Sequence, residues 1–223
     1  MASDQDKDSN QSEDQLDQFD QLDLIDQDDH EEHELSPDLL IKHPLQNSWT
    51  LWFYKNDKSK SWEANQREII TFNTVEDFWA LYNHIELASR LAAGCDYSLF
   101  KEGIRPMWED ESNKRGGRWL INLDKKQRGS CLDNFWLEVV LCLIGESFES
   151  ESVLVNGAVV NVRARGDKLS MWLCEAKPQE AIVSVGQRLK GRLGIEEKVI
   201  IGYEVHSDTM SKQGSTAKIR YTV

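Results

Sequence analysis

The chain has 223 residues, 39 acidic and 26 basic, for a formal net charge of −13; residues 1–42 hold 15 Asp and Glu against 2 Lys and Arg, leaving 24 of each sign in residues 43–223. No apolar run approaches the roughly 18 residues of a membrane span, and the N-terminus lacks the basic start and apolar centre of a signal peptide. Cys95, Cys131, Cys142 and Cys174 form no CxxC pair and have no His at zinc-ligand spacing, so neither a disulfide framework nor a zinc site is indicated and a cytosolic or nuclear protein is expected.

The acidic leader, residues 1–42, repeats a triplet as Asp14-Gln15-Leu16, Asp17-Gln18-Phe19 and Asp20-Gln21-Leu22. So much like charge with so few apolar residues cannot bury enough surface to offset chain entropy, and the leader is expected to be disordered. The balanced remainder, residues 43–223, is long enough for one sizeable core.

Along this body, β-branched and aromatic runs predict strands at 49–55, 68–72, 97–101, 117–123, 153–155, 158–164, 168–174, 198–205 and 217–223. Asn156-Gly157 and Arg165-Gly166-Asp167 read as turns, because Asn, Asp and Gly tolerate positive φ, and most successive strand pairs are expected to form hairpins. Three helices interrupt the strands. Val75 to Ile85 is opened by Thr74 with Asp77 as its capping pair, Leu132 to Ile144 is closed by Gly145, and Pro178 to Lys190 is followed by Gly191. The order ββα, ββα, ββα, ββ favours an α+β fold: an antiparallel sheet with helices on one face and the other face free to curve around a ligand.

All eight tryptophans lie in the body. Trp49, Trp79, Trp119 and Trp136 sit in apolar periodic patterns and read as core. Trp62 and Trp108 instead lie in polar, loop-like strings, where a large ring has no periodic neighbours to bury it. Two such rings can clamp a flat ligand, and a cationic ligand ring strengthens the stack. Glu109-Asp110-Glu111 beside Trp108 fits a cation, although an acidic triplet alone is more often a solvated turn. Arg118, Arg163, Arg165 and Lys168 lie near turns, with Arg163 and Lys168 at opposite ends of one hairpin, from which both can reach a polyphosphate. The helix from Leu132 carries two apolar stripes: Leu132, Phe135, Trp136, Val139, Val140 and Leu143 suit packing on a sheet. Leu137, Leu141 and Ile144 lie roughly 130° round and need a partner or an adjacent helix to cover them.

Several strings resemble the cap-binding translation initiation factor 4E family. They are His43-Pro44-Leu45-Gln46-Asn47, Trp49-Thr50-Leu51-Trp52-Phe53-Tyr54, Asp77-Phe78-Trp79-Ala80-Leu81-Tyr82-Asn83, Pro106-Met107-Trp108-Glu109-Asp110, Gly116-Gly117-Arg118-Trp119 and Asn161-Val162-Arg163. The resemblance covers residues 43–223 and not the leader. It implies a cupped hand: a curved antiparallel sheet of about eight strands, three helices on its convex back, and the 7-methylguanosine cap of mRNA in the palm. Trp62 and Trp108 would sandwich the methylated base, Glu109 would accept from guanine N1–H and N2–H, and Trp172 would touch the N7-methyl group. Arg163 and Lys168 would hold the phosphates, supported by Arg118 and Asn161.

The resemblance also implies a second site on the helical back, at His43, Pro44, Val75, Trp79, Leu137, Glu138 and Leu141. There a helical Tyr-x-x-x-x-Leu-apolar peptide from a 4G-type scaffold or a 4E-binding repressor would dock. Ser215 matches a phosphorylation site, where a phosphate would add about −1.5 to −2 charge within reach of Arg165 or Lys212. The implied protein is a monomeric, non-enzymatic RNA-binding factor of translation initiation and its regulation, with no cofactor, metal or membrane. Two other readings are a paralogue that represses translation without supporting initiation, and a cap-cleaving hydrolase using Glu109, Asp110 and Glu111 around a divalent ion.

Overall fold

The structure, a computed structural model, describes residues 41–210 and 218–223; the leader repeats and Ser215 lie outside these residues. Eight strands form one sheet: β1 (Pro44–Lys55), β2 (Gln66–Thr74), β3 (Cys95–Lys101), β4 (Gly117–Asp124), β5 (Val155–Asn161), β6 (Gly166–Leu173), β7 (Gly202–Val205) and β8 (Ile219–Thr222). Their order across the sheet is β2-β1-β3-β5-β6-β4-β7-β8, and every neighbouring pair is antiparallel. The helices are α1 (Trp62–Asn65), α2 (Val75–His84), α3 (Asp133–Ile144), α4 (Gln179–Arg192) and α5 (His206–Met210). The three long ones follow the second, fourth and sixth strands, in the order expected from sequence, and the sheet is curved and unclosed. No described helix is long and apolar enough to cross a membrane.

Local chemistry sets the helix ends. Thr74 Oγ1 accepts from Asp77 N at 3.2 Å and donates to the Asp77 carboxylate at 2.7 Å, a reciprocal cap that starts α2. Gly145 caps α3, its N–H bonding Leu141 O at 3.0 Å. Helix α4 runs through Gly191 rather than stopping before it, and the chain turns away at Gly194, whose φ of +61° suits a residue without Cβ.

Several sequence expectations are corrected. The expected strands at 153–155 and 158–164 are one strand, β5, preceded by a 3₁₀ turn over Glu149–Leu154. Asn156-Gly157 is therefore not a turn. It sits at a register shift in the β5–β6 pairing, and a Cβ on Gly157 would lie 2.3 Å from Leu99 O, against strand β3. The reversal between β5 and β6 is residues 162–165, so Gly166 and Asp167 already belong to β6. Strands β3 and β4 are not a hairpin, because the β5–β6 pair separates them. Val199 and Ile200 are exposed and precede β7 rather than belonging to it; the pairing with the C-terminal segment begins at Ile201, which exchanges backbone bonds with Val223.

Alternation along the central strands divides the molecule. Tyr97, Leu99, Ala158, Val160, Leu169, Met171, Trp119 and Ile121 turn to one face and are buried in the main core with Phe78, Trp136, Val140, Ile182 and Val185 of the helices. Trp119 lies at its centre, fully buried, with Nε1 donating to Ile182 O at 3.1 Å. Trp49 and Trp136 are core, as expected, but Trp79 is 38 % exposed, because the adjacent Phe78 takes the inward position on α2. Gly186 of α4 meets the Trp119 indole so closely that a Cβ there would lie 2.4 Å from its ring. Replacing Gly186 with Val therefore overpacks the helix–sheet contact, and denaturant unfolding should register a loss of about 1–3 kcal/mol.

Candidate functional site

The opposite face of the sheet bears a cavity of about 700 Å³. Its floor comes from the residues that alternate with the core set. Asp96, Asn161 and Lys168 lie in one cross-strand row, Ser98 and Val159 in the next, and Trp172 and Arg118 in a third. Phe100, Val159 and Trp172 make a small apolar cluster at the base, with Phe100 and Trp172 edge to face at 5.5 Å. Trp62 and Trp108 form part of the wall and remain 44 % and 37 % exposed.

Each of these two rings rides on a segment pinned by a buried asparagine. Trp62 is not in a plain loop: it opens the short helix α1, capped by Ser61, whose Oγ accepts from Ala64 N at 3.2 Å. Asn65, at the end of that helix, donates to Asp57 O at 2.9 Å and accepts from Asp57 N at 3.3 Å. Ser59 bonds the Asp57 carboxylate through both N–H and hydroxyl and holds it below the usual carboxylate range. The Trp108 loop is held by Asn113, which is fully buried and donates to Arg105 O and Met107 O, both at 2.9 Å. Asn156 of β5 in turn donates to Asn113 Oδ1 at 2.9 Å and to Ser112 O at 2.8 Å. Sequence reading missed Asn65 and Asn113 and took Asn156 for a turn residue. Nothing in their immediate sequence marks the distant groups they bond.

The polar groups are mostly paired. Arg163 forks onto Asp96, with Nη2 donating to Oδ2 at 3.0 Å and Nη1 to Oδ1, and its Nη1 also bonds Val162 O at 3.0 Å. Burial pushes the Asp96 carboxyl up despite this partner, while the Asp96 contact holds the Arg163 guanidinium further into its charged form. These bonds leave the Nε–H and one Nη2–H of Arg163 for a ligand. Arg118 binds Glu204 through Nε at 3.2 Å and Nη2 at 3.0 Å. Lys168 is exposed and has no ion pair among the described residues.

His206 packs against Trp172 with ring centroids 4.3 Å apart and the planes tilted by 43°. Burial, reinforced by nearby Arg118, pushes its pKa down to about 3, so at pH 7 it puts no positive charge behind the cavity floor. Glu109, Asp110 and Glu111 do not converge. Glu109 accepts from Trp108 Nε1, Asp110 from the N–H groups of Arg105 and Ser112 at 3.1 and 2.9 Å, and Glu111 pairs with Lys114 at 2.5 Å. No group of three His, Cys, Asp or Glu that could hold a metal occurs among the described residues.

The structure thus gathers Trp62, Trp108, Glu109, Trp172, Arg118, Asn161, Arg163 and Lys168 around one cavity; Arg165 is exposed and does not line it.

On the helical face, Pro44 pairs with Thr74, and His43 O accepts from Val75 N at 2.9 Å, so His43, Pro44 and Val75 are adjacent. Trp79 lies one turn further along α2. Leu137, Glu138 and Leu141 are half-buried on α3, whereas Ile144, assigned to the same stripe from sequence, is buried by the protein's own core. Helices α2 and α3 border one apolar crevice lined by Phe78, Leu81, Tyr82, Trp136 and Val140.

Comparison with known proteins places this architecture. The family model for Eukaryotic initiation factor 4E matches residues 44–221. Eukaryotic translation initiation factor 4E of Xenopus laevis is 63% identical over 85% of this chain and 89% of its own length. The solved structure of Ascaris suum eIF4E-3 in complex with the m7G cap is 49% identical, with a TM-score of 0.77, over 82% of this chain and 98% of that one. That of C. elegans eIF4E-3 with the 4E-binding protein Mextli and a cap analog is 45% identical, with a TM-score of 0.76, over 82% and 100%. With the family model matching most of its length, the chain belongs to the eukaryotic initiation factor 4E family.

Proposed function

We infer that this protein binds the 7-methylguanosine cap of mRNA in the cavity and recruits capped mRNA to the translation initiation machinery through a scaffold protein bound on α2 and α3. The observation that carries the reading is a pair of exposed indoles, on separately pinned segments, beside a cavity whose floor carries Arg118, Arg163 and Lys168. Methylation at N7 gives the base a delocalised positive charge, which strengthens stacking on Trp62 and Trp108 by about 0.5–2 kcal/mol once water is excluded. Glu109 exchanges its bond from Trp108 Nε1 for bonds from guanine N1–H and N2–H, and Trp172 meets the methyl group. Lys168 and the two unused N–H groups of Arg163 take the phosphates, with Arg118 and Asn161 supporting them. This is binding rather than bond cleavage, since the three consecutive acids are engaged with different partners. The family match beginning at residue 44 supports dividing the chain into an acidic leader and a binding domain.

The α2–α3 face fits the apolar side of a Tyr-x-x-x-x-Leu helix, with Glu138 available to a basic residue of the peptide. A 4G-type scaffold and a 4E-binding repressor would compete for it, which makes cap binding a regulated step. The protein then acts in the cytoplasm, where capped mRNA is translated, with a nuclear pool open to it.

Titration with 7-methyl-GTP should quench tryptophan fluorescence strongly, and unmethylated GTP weakly. Trp62→Ala or Trp108→Ala should each cost about 1–3 kcal/mol of affinity, roughly 5- to 150-fold, with circular dichroism unchanged. A Trp108→Ala variant that still binds 7-methyl-GTP normally would show that the base lies elsewhere. Leu137→Asp should abolish capture of a Tyr-x-x-x-x-Leu peptide in calorimetry while leaving the quenching by 7-methyl-GTP intact.

A further inference from the structure

The β5–β6 turn carries Arg163 at one end and leads into Lys168 at the other, yet neither residue fixes it. Arg128 does. It opens a π-helical turn, Arg128–Leu132, between a 3₁₀ turn and α3, the kind of widened turn that recurs at functional sites. Its guanidinium forks onto Asp167, Nε to Oδ2 at 2.8 Å and Nη2 to Oδ1 at 2.7 Å, and Nη2 also donates to Arg163 O. Asp167 Oδ1 accepts in turn from Arg163 N at 3.0 Å. Both backbone polar groups of Arg163 are therefore held by one ion pair.

That pair is largely buried: the Asp167 side chain is 0% exposed and that of Arg128 19%. It lies on the other side of the sheet from the cavity, because Asp167 alternates with Lys168 and shares its face with the core residue Leu169. Neither Arg128 nor Asp167 lines the cavity. A buried ion pair is a poor source of net stability, since desolvating two charges offsets much of their attraction. What this one supplies is a fixed place for the backbone of Arg163, from which the Asp96 fork then aims the guanidinium.

Resting on the cap-binding reading, we propose that Arg128, acting through Asp167, is a positioning residue for the polyphosphate end of the cavity and sets how strongly the protein prefers a nucleoside triphosphate to the bare methylated nucleoside. It touches no ligand atom. Its effect is confined to phosphate recognition, because the rings that take the base are held by Asn65 and Asn113 on other segments.

The test compares the full chain with Arg128→Gln, titrating each with 7-methyl-GTP and with 7-methylguanosine by tryptophan quenching. Arg128→Gln should weaken 7-methyl-GTP about tenfold or more, the scale of losing a charge-assisted phosphate bond, and 7-methylguanosine by less than about twofold. The slope of log affinity against log salt for 7-methyl-GTP should flatten by about one phosphate contact. Should Arg128→Gln fail to fold, Arg128→Lys keeps one bond to Asp167 and should show a smaller loss, again for the triphosphate only. Parallel weakening of both ligands, or no change in either, overturns the proposal while leaving cap binding intact. A wild-type chain that binds neither ligand overturns the cap-binding reading itself.

Discussion

A β-strand sends only every second side chain to a given face, and this constraint underlies both halves of the molecule. Across β3, β5, β6 and β4, one parity supplies Leu99, Ala158, Met171 and Trp119 to the core, while the other supplies Asp96, Asn161, Lys168 and Arg118 to the cavity. Shifting one strand's register by a residue would exchange the two sets, putting charge in the core and aliphatic groups on the floor. The bulge at Val155/Gly157 is tolerated because it lies at one end of the β5–β6 ladder, away from the Asn161–Lys168 row.

The floor is assembled from charges that already have partners. Asp96 and Glu204 neutralise Arg163 and Arg118 and restrict their rotamers, so the guanidinium planes are aimed before any ligand arrives. Each carboxylate also takes away some of the attraction an anion would feel. The result is a site in which direction is set by hydrogen bonds, while Lys168, without an ion pair among the described residues, supplies uncompensated charge. Preorganisation of this kind reduces the ordering cost of binding, since side chains with many rotamers are immobilised in advance.

Much of this was legible in the sequence because it is periodic or local. The Thr74–Asp77 cap, the Gly145 stop, the apolar stripe of α3 and the polarity that exposes Trp62 and Trp108 each rest on residues close together in the chain. The exposed rings and the basic hairpin could be nominated from the residues, whereas selecting Glu109 from three neighbouring acids needed the family resemblance. What could not be read involves partners far apart in the chain. Asn156 looks like half of a turn dipeptide, yet it bonds Ser112 and Asn113, 44 and 43 residues away. Arg128 and Asp167 are separated by 39 residues, and Asp167 beside a glycine resembles turn chemistry until its buried partner is seen. Trp79 was misjudged because apolar periodicity does not say which of two adjacent aromatics points inward.

The unclosed sheet has a colloidal consequence. A closed barrel has no free edge, but among the described residues this sheet ends in β2 and β8, which carry exposed Ile69, Ile70 and Ile219. Arg67 and Glu68 stand exposed on β2, charged side chains of the kind that blunt a strand edge, while Arg220 on β8 is already paired with Asp208 at 2.6 Å. Salt screens such surface charges over a distance of about 8–10 Å at physiological strength and less at higher strength. Salt therefore acts twice, on the grip on a polyphosphate and on the charged guard of the β2 edge.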